Sequence, residues 1–137
     1  MFRIVIFTFI VRFVFVDCEV CESMDIRNDP KRLKVLENCT EIWGSLQIVL
    51  FENDDYYGYF SEKDYENYVF PKLRVISGSL FMFNVTHLNS IGQLFPNLNQ
   101  IQGRSLIHDY SLILYGNTQL KENGTLETRK VYRMRKH

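Results

Sequence analysis

The sequence predicts a mainly β fold, a leucine-rich-like solenoid of about three rungs with a short N-terminal helix. Two observations predict it. First, the chain repeats itself: Phe70-Pro71-Lys72-Leu73 is echoed by Phe95-Pro96-Asn97-Leu98, and Ile76-Ser77-Gly78 by Ile101-Gln102-Gly103, both offset by 25 residues. Second, each block runs into an apolar, strand-like stretch, Ser79 to Val85 and Ser105 to Leu114. Ile42-Trp43-Gly44 opens a similar block 34 residues before Ile76, the extra length being an acidic insertion. One rung cannot bury its own apolar edge, whereas stacked rungs bury one another's. The glycine closing each Ile-x-Gly allows a sharp corner.

The N-terminus sets the compartment. Residues 1–17 read as a secretion signal: Arg3 supplies the charged start and Ile4 to Val16 the apolar run. That run is shorter than the roughly 20 residues a membrane span needs. Arg12 interrupts it and no small-x-small site precedes Asp17, so a buried N-terminal strand is the competing reading. Export gives the three cysteines, Cys18, Cys21 and Cys39, a disulfide rather than a cytosolic meaning. It also gives three sequons a use, at Asn38, Asn84 and Asn123.

Behind the signal, Asp29 and Pro30 suit the start of a helix, with Leu33, Leu36 and Val35 as its apolar face. Ser45 to Phe51 then reads as a strand. Residues 52–68 carry six acidic residues and five tyrosines without a clean period. They read as a loop, either a solvated insertion or a tyrosine-rich contact surface. After Gln119 the pattern fades. The final nine residues carry five Lys or Arg and read as a disordered basic tail or a site for acidic surfaces. The expected organisation is a signal over 1–17, one domain over 18–120 and a tail over 121–137.

Other chemistry has little support. Sixteen Lys or Arg balance sixteen Asp or Glu, so no global field points to nucleic acid or a membrane surface. His87, His108 and His137 are scattered, with no metal spacing and no Ser/His/Asp arrangement. Neither G-x-G-x-x-G nor His-Arg-Asp occurs, so the sequence predicts no kinase, no enzyme and no cofactor. A zinc or redox role for Cys18-x-x-Cys21 lacks a second ligand pair.

A family likeness now stands in the residues. Cys21-x-x-Met24-Asp25-Ile26-Arg27-Asn28, Leu33-x-x-Leu36-Glu37-Asn38-Cys39, Gly44-x-Leu46-Gln47-Ile48 and the two Phe-Pro-x-Leu blocks follow in order. Together they resemble the first L domain of insulin and insulin-like growth factor receptors, truncated. The resemblance implies a short right-handed β-helix with one sheet face turned to a hormone. It implies a disulfide between Cys21 and Cys39, stapling the N-terminal helix to the first rung and worth about 3 kcal/mol. Cys18 is then removed with the signal, paired between chains or free. The resemblance also implies ligand contacts at Asp25, Arg27 and Asn28, at Gln47, Val49 and Leu50 on the first strand, at Phe83 on the second and at Tyr110 and Tyr115 on the third. The competing role for Asp25, Arg27 and Asn28 is to cap the helix. Glu52, His108 and Asp109 depart from the family's more apolar pattern and put hormone specificity in doubt.

The expected function is a secreted or receptor-derived extracellular module that contacts an insulin-like peptide or another protein, without a kinase of its own, and so a possible decoy. The alternative is a non-binding receptor fragment, or a glycoprotein that associates with itself through an open last rung.

Overall fold

The computed structural model describes residues 19–50, 62–117, 127–128 and 131–134. The expected signal, Cys18, Asn123 and most of the acidic insertion lie outside the described residues.

Two parallel ladders make up the fold. The strands are β1 (Glu19–Arg27), β2 (Cys39–Val49), β3 (Val75–Ile76), β4 (Leu80–Phe83), β5 (Gln100–Ile101), β6 (Leu112–Tyr115), β7 (Glu127–Thr128) and β8 (Val131–Met134). The long strands β1 and β2 pair in parallel along most of their length. Past Gly44 the ladder divides. The first half of β2 continues into β3, β5 and β7, and the second half into β4, β6 and β8. Among the described residues each ladder is therefore five strands deep, β1 and β2 included, where the repeat alone predicts about three rungs. The difference has a physical reason: β1 carries none of the repeat's signature residues. β7 and β8 lie within the stretch that the sequence reads as a tail.

The corner between the ladders is held by small polar residues. Gly44 sits at φ 129°, outside the range comfortable for other residues, and its N–H donates to the Ser77 hydroxyl at 2.8 Å. Ser45 N–H donates to Ser23 Oγ and Ser79 N–H to Ser45 Oγ, both at 3.0 Å. The buried Ser79 hydroxyl reaches the carbonyls of Ser105 and Tyr110. A chain that turns out of its ladder loses hydrogen bonds there, and the serines replace them.

Inward residues alternate along the strands. Leu46, Leu80 and Leu112 are neighbours in register, as are Ile48, Met82 and Leu114, and all are essentially fully buried. The repeated Phe-Pro-x-Leu blocks close the core on another side: the Phe70 and Phe95 rings lie 5.9 Å apart, and Asn97 Nδ2 donates to the Pro71 carbonyl at 2.7 Å. Two short helices accompany them, α1 (Glu62–Glu66) and α2 (Ile91–Leu94). The first falls inside the acidic stretch read as loop. Its Tyr65 is buried in the core and Tyr68 packs against it, so these two tyrosines belong to the fold and not to a contact loop.

Between β1 and β2 a 3-10 helix spans Pro30–Leu36. Three residues per turn put Pro30, Leu33 and Leu36 on one face, and all three are buried. Val35, expected on that face, is 57% exposed. Asp29 is the N-cap, its carboxylate accepting from Lys31 N–H at 2.9 Å. The Cys21–Cys39 disulfide spans 18 residues with the Cα atoms 5.7 Å apart. It joins β1 to the start of β2 around the helix, instead of tying the helix itself to a rung.

Candidate functional site

On the second ladder the residues between the buried ones point outward. Two rows result. In one, Asp25, Gln47, Phe81 and Ile113 are neighbours in register; in the other, Arg27, Val49, Phe83 and Tyr115. Alternation along a strand turns every second side chain to the same face. The rows thus lie side by side on one surface.

The surface is graded in chemistry. At the β1 end stands a solvent-facing ion pair, Arg27 Nη2 to Asp25 Oδ2 at 2.8 Å, with Arg27 Nε donating to both carboxylate oxygens. The hydrogen bond that Arg27 donates to Asp25, and then the carboxylate's charge, raise the Arg27 guanidinium pKa above its ordinary value. Towards β6 the surface becomes aromatic. Phe83 and Tyr115 stack with centroids 5.1 Å apart and planes within 3°, and Phe81 lies 6.4 Å from Phe83. All three rings are half-buried, so they keep open area for a partner. Val49 and Ile113 are nearly fully buried and sit outside the core cluster.

Of the residues expected to contact a ligand, Asp25, Arg27, Gln47, Val49, Phe83 and Tyr115 come together on this face. Asn28 stands at the end of the Arg27 row with φ 67°, its N–H donating to the Val49 carbonyl at 3.0 Å. The capping role considered for these residues falls to Asp29 instead. Two expectations need correction. Leu50 has no exposed surface and lies in the core, because alternation turns Ile48 and Leu50 inward and Gln47 and Val49 outward. Tyr110 is not on β6; it closes a tight turn with Ile107, in which His108 and Asp109 both have positive φ. Phe81 and Ile113 were missed, though each lies two residues before a residue of the neighbouring row and the period of two could have found them.

The cysteine alternative is settled differently. Cys21 is bonded to Cys39, so it is not available to a Cys18–Cys21 metal or redox pair. Among the described residues, no group of His, Cys, Asp and Glu is arranged to hold a metal ion. Asn38 is exposed, with its Oδ1 accepting from Lys72 Nζ at 2.9 Å. Asn84 is half-exposed at the end of β4.

The receptor L domain family model matches residues 38–136. The chain belongs to the receptor L domain family. Over 116 residues, 84% of the chain, this L domain is 42% identical to the insulin-like growth factor 1 receptor of Xenopus laevis, covering 8% of that receptor. It is 40% identical over 114 residues to the putative molluscan insulin-related peptide receptor of Lymnaea stagnalis, 83% of the chain and 7% of the receptor. Identity to the Xenopus laevis insulin receptor is 39% over 110 residues, 79% of the chain and 8% of the receptor. The L domain thus spans less than a tenth of the length of these relatives. Among its described residues, no helix is long and apolar enough to cross a membrane.

Proposed function

We propose that this L domain is an extracellular binding module, exported by the signal in residues 1–17, whose second-ladder outer face contacts an insulin-like peptide. The two ladders are then the turns of a short right-handed β-helix. The observation that carries the reading is the face itself: stacked, half-exposed Phe83 and Tyr115 beside Phe81, bordered by the Asp25–Arg27 pair and Gln47. Aromatic anchors with a polar border are the composition of a protein contact surface. The relatives whose names mention insulin or insulin-like peptides support the choice of ligand class.

Alternation allows the peptide to approach without disturbing the core. Each outward residue is flanked in sequence by a buried one, so the anchors are rigid before binding and little ordering cost remains. The face works in the same way at the hormone-facing end of a longer receptor or in a free module that sequesters hormone.

The test is expression of residues 1–137 in eukaryotic cells and titration of the secreted protein with a labelled insulin-like peptide at micromolar concentration. Saturable one-to-one capture, lost on Phe81→Asp, is the expected result. Secreted, folded protein that captures nothing, whether its N-linked sugars are present or enzymatically removed, would overturn the reading and favour a non-binding or self-associating glycoprotein.

A further inference from the structure

The sequon Asn84-Val85-Thr86 stands at the edge of the proposed contact face. Asn84 directly follows Phe83, has φ 52° and donates its N–H to the Tyr115 carbonyl at 2.9 Å. Its side chain lies against Gly116, where a Cβ would come within 2.2 Å of Asn84 Oδ1. The residue is half-exposed and its amide group makes no hydrogen bond among the described residues. Asn117 is the opposite case. It is buried, Oδ1 accepts from Val85 N–H at 2.7 Å and Nδ2 donates to the Met82 carbonyl at 3.0 Å, so its amide is consumed by the fold.

Thr86 supplies the second observation. It is 7% exposed, and its Oγ1 has no hydrogen-bond partner among the described residues. A buried hydroxyl without a partner costs free energy that a valine of the same shape would avoid. A hydroxyl two residues after an asparagine is, however, what N-glycosylation requires.

We propose that Asn84 carries an N-linked oligosaccharide that shields the Phe83–Tyr115 end of the outer face and so governs access to it. The proposal rests on the export and contact face proposed above. In the transfer, Asn84 Nδ2 bonds to the anomeric carbon of an oligosaccharide carried on a lipid diphosphate. The bond from that carbon to the diphosphate breaks, the lipid diphosphate leaves, and the amide proton passes to a base. The sugar then begins one residue from Phe83, whose ring lies on that of Tyr115. A bulky hydrated group at that point covers the aromatic row. A sugar on Asn38 has no such effect, because Asn38 precedes β2 at the end of the strand remote from Val49.

The experiment uses the full chain secreted from eukaryotic cells. Enzymatic glycan release in heavy-oxygen water, read by mass spectrometry, reports occupancy at Asn84. Hydroxyl-radical footprinting then compares the glycosylated protein with Thr86→Val and with Asn84→Gly, a second variant that tolerates the left-handed backbone. Asn84 is expected to be occupied, and oxidation of Phe83 and Tyr115 to rise by about twofold or more in both variants as the bulky sugar is lost. Asn38→Gln is expected to leave that oxidation unchanged. An unoccupied Asn84, or equal oxidation with and without the sugar, overturns the proposal. Increased oxidation with no peptide capture by either form upholds the shield and removes the hormone reading. Capture with no change in oxidation removes the shield alone.

Discussion

The first ladder offers solvent Glu41, Val75 and Gln100 in one row, beside an isolated Trp43 that is 66% exposed. The second offers two complete rows in which rings rest on rings. The same passes of chain build both. The difference lies in strand length. β3 and β5 have two residues, so alternation leaves one outward position on each; β4 and β6 have four, so each provides two. Two outward positions per strand let Phe81, Phe83 and Tyr115 meet along and across the ladder, whereas Trp43 has no ring contact among the described residues. A continuous aromatic face therefore comes from strand length as much as from residue type.

The largest effect expected is one that destroys the comparison by loosening both ladders together. Replacing Cys21 and Cys39 by serine frees the loop between β1 and β2, and should cost about 3 kcal/mol in urea unfolding. Gly78→Ala attacks the point where the ladders part. A Cβ there would stand 2.5 Å from the Gly44 carbonyl oxygen, a backbone atom with little room to move. We expect a loss of about 2 kcal/mol of stability, measured in the same way.

Phe83→Ala sharpens the comparison by acting on one face only. It should weaken peptide capture by roughly 30-fold, or about 2 kcal/mol, whereas Trp43→Ala should leave capture unchanged. The smallest effect is expected at Asp25→Asn. The ion pair with Arg27 is exposed to solvent on both sides, so the urea midpoint should not shift measurably.

What was legible in the sequence follows the same division. The Phe-Pro-x-Leu repeat marks fully apolar contacts, and Phe70 and Phe95, 25 residues apart, do meet with their rings tilted against each other. β1 was not legible. Asp25, Arg27 and the adjoining Asn28 read as ligand contacts or helix caps, and only the register of β1 against β2, set by distant residues, makes it a strand. Tyr65 gave no signal because acidic neighbours surround a residue whose burial is decided by tertiary packing. Leu50 and Phe81 were recoverable: counting alternate positions from Gln47 and Phe83 places the first inside and the second outside. Tyr110 was misplaced because β6 starts two residues later, after a turn built on His108 and Asp109 with positive φ.

The most direct test of the claim that one ladder carries recognition is a paired titration. Secreted protein bearing Phe83→Ala with Tyr115→Ala is compared with protein bearing Trp43→Ala with Val75→Ala, each against one labelled insulin-like peptide. The account predicts that the first pair abolishes capture and the second leaves it intact, at equal urea stability. Capture that survives the first pair and fails with the second would contradict it.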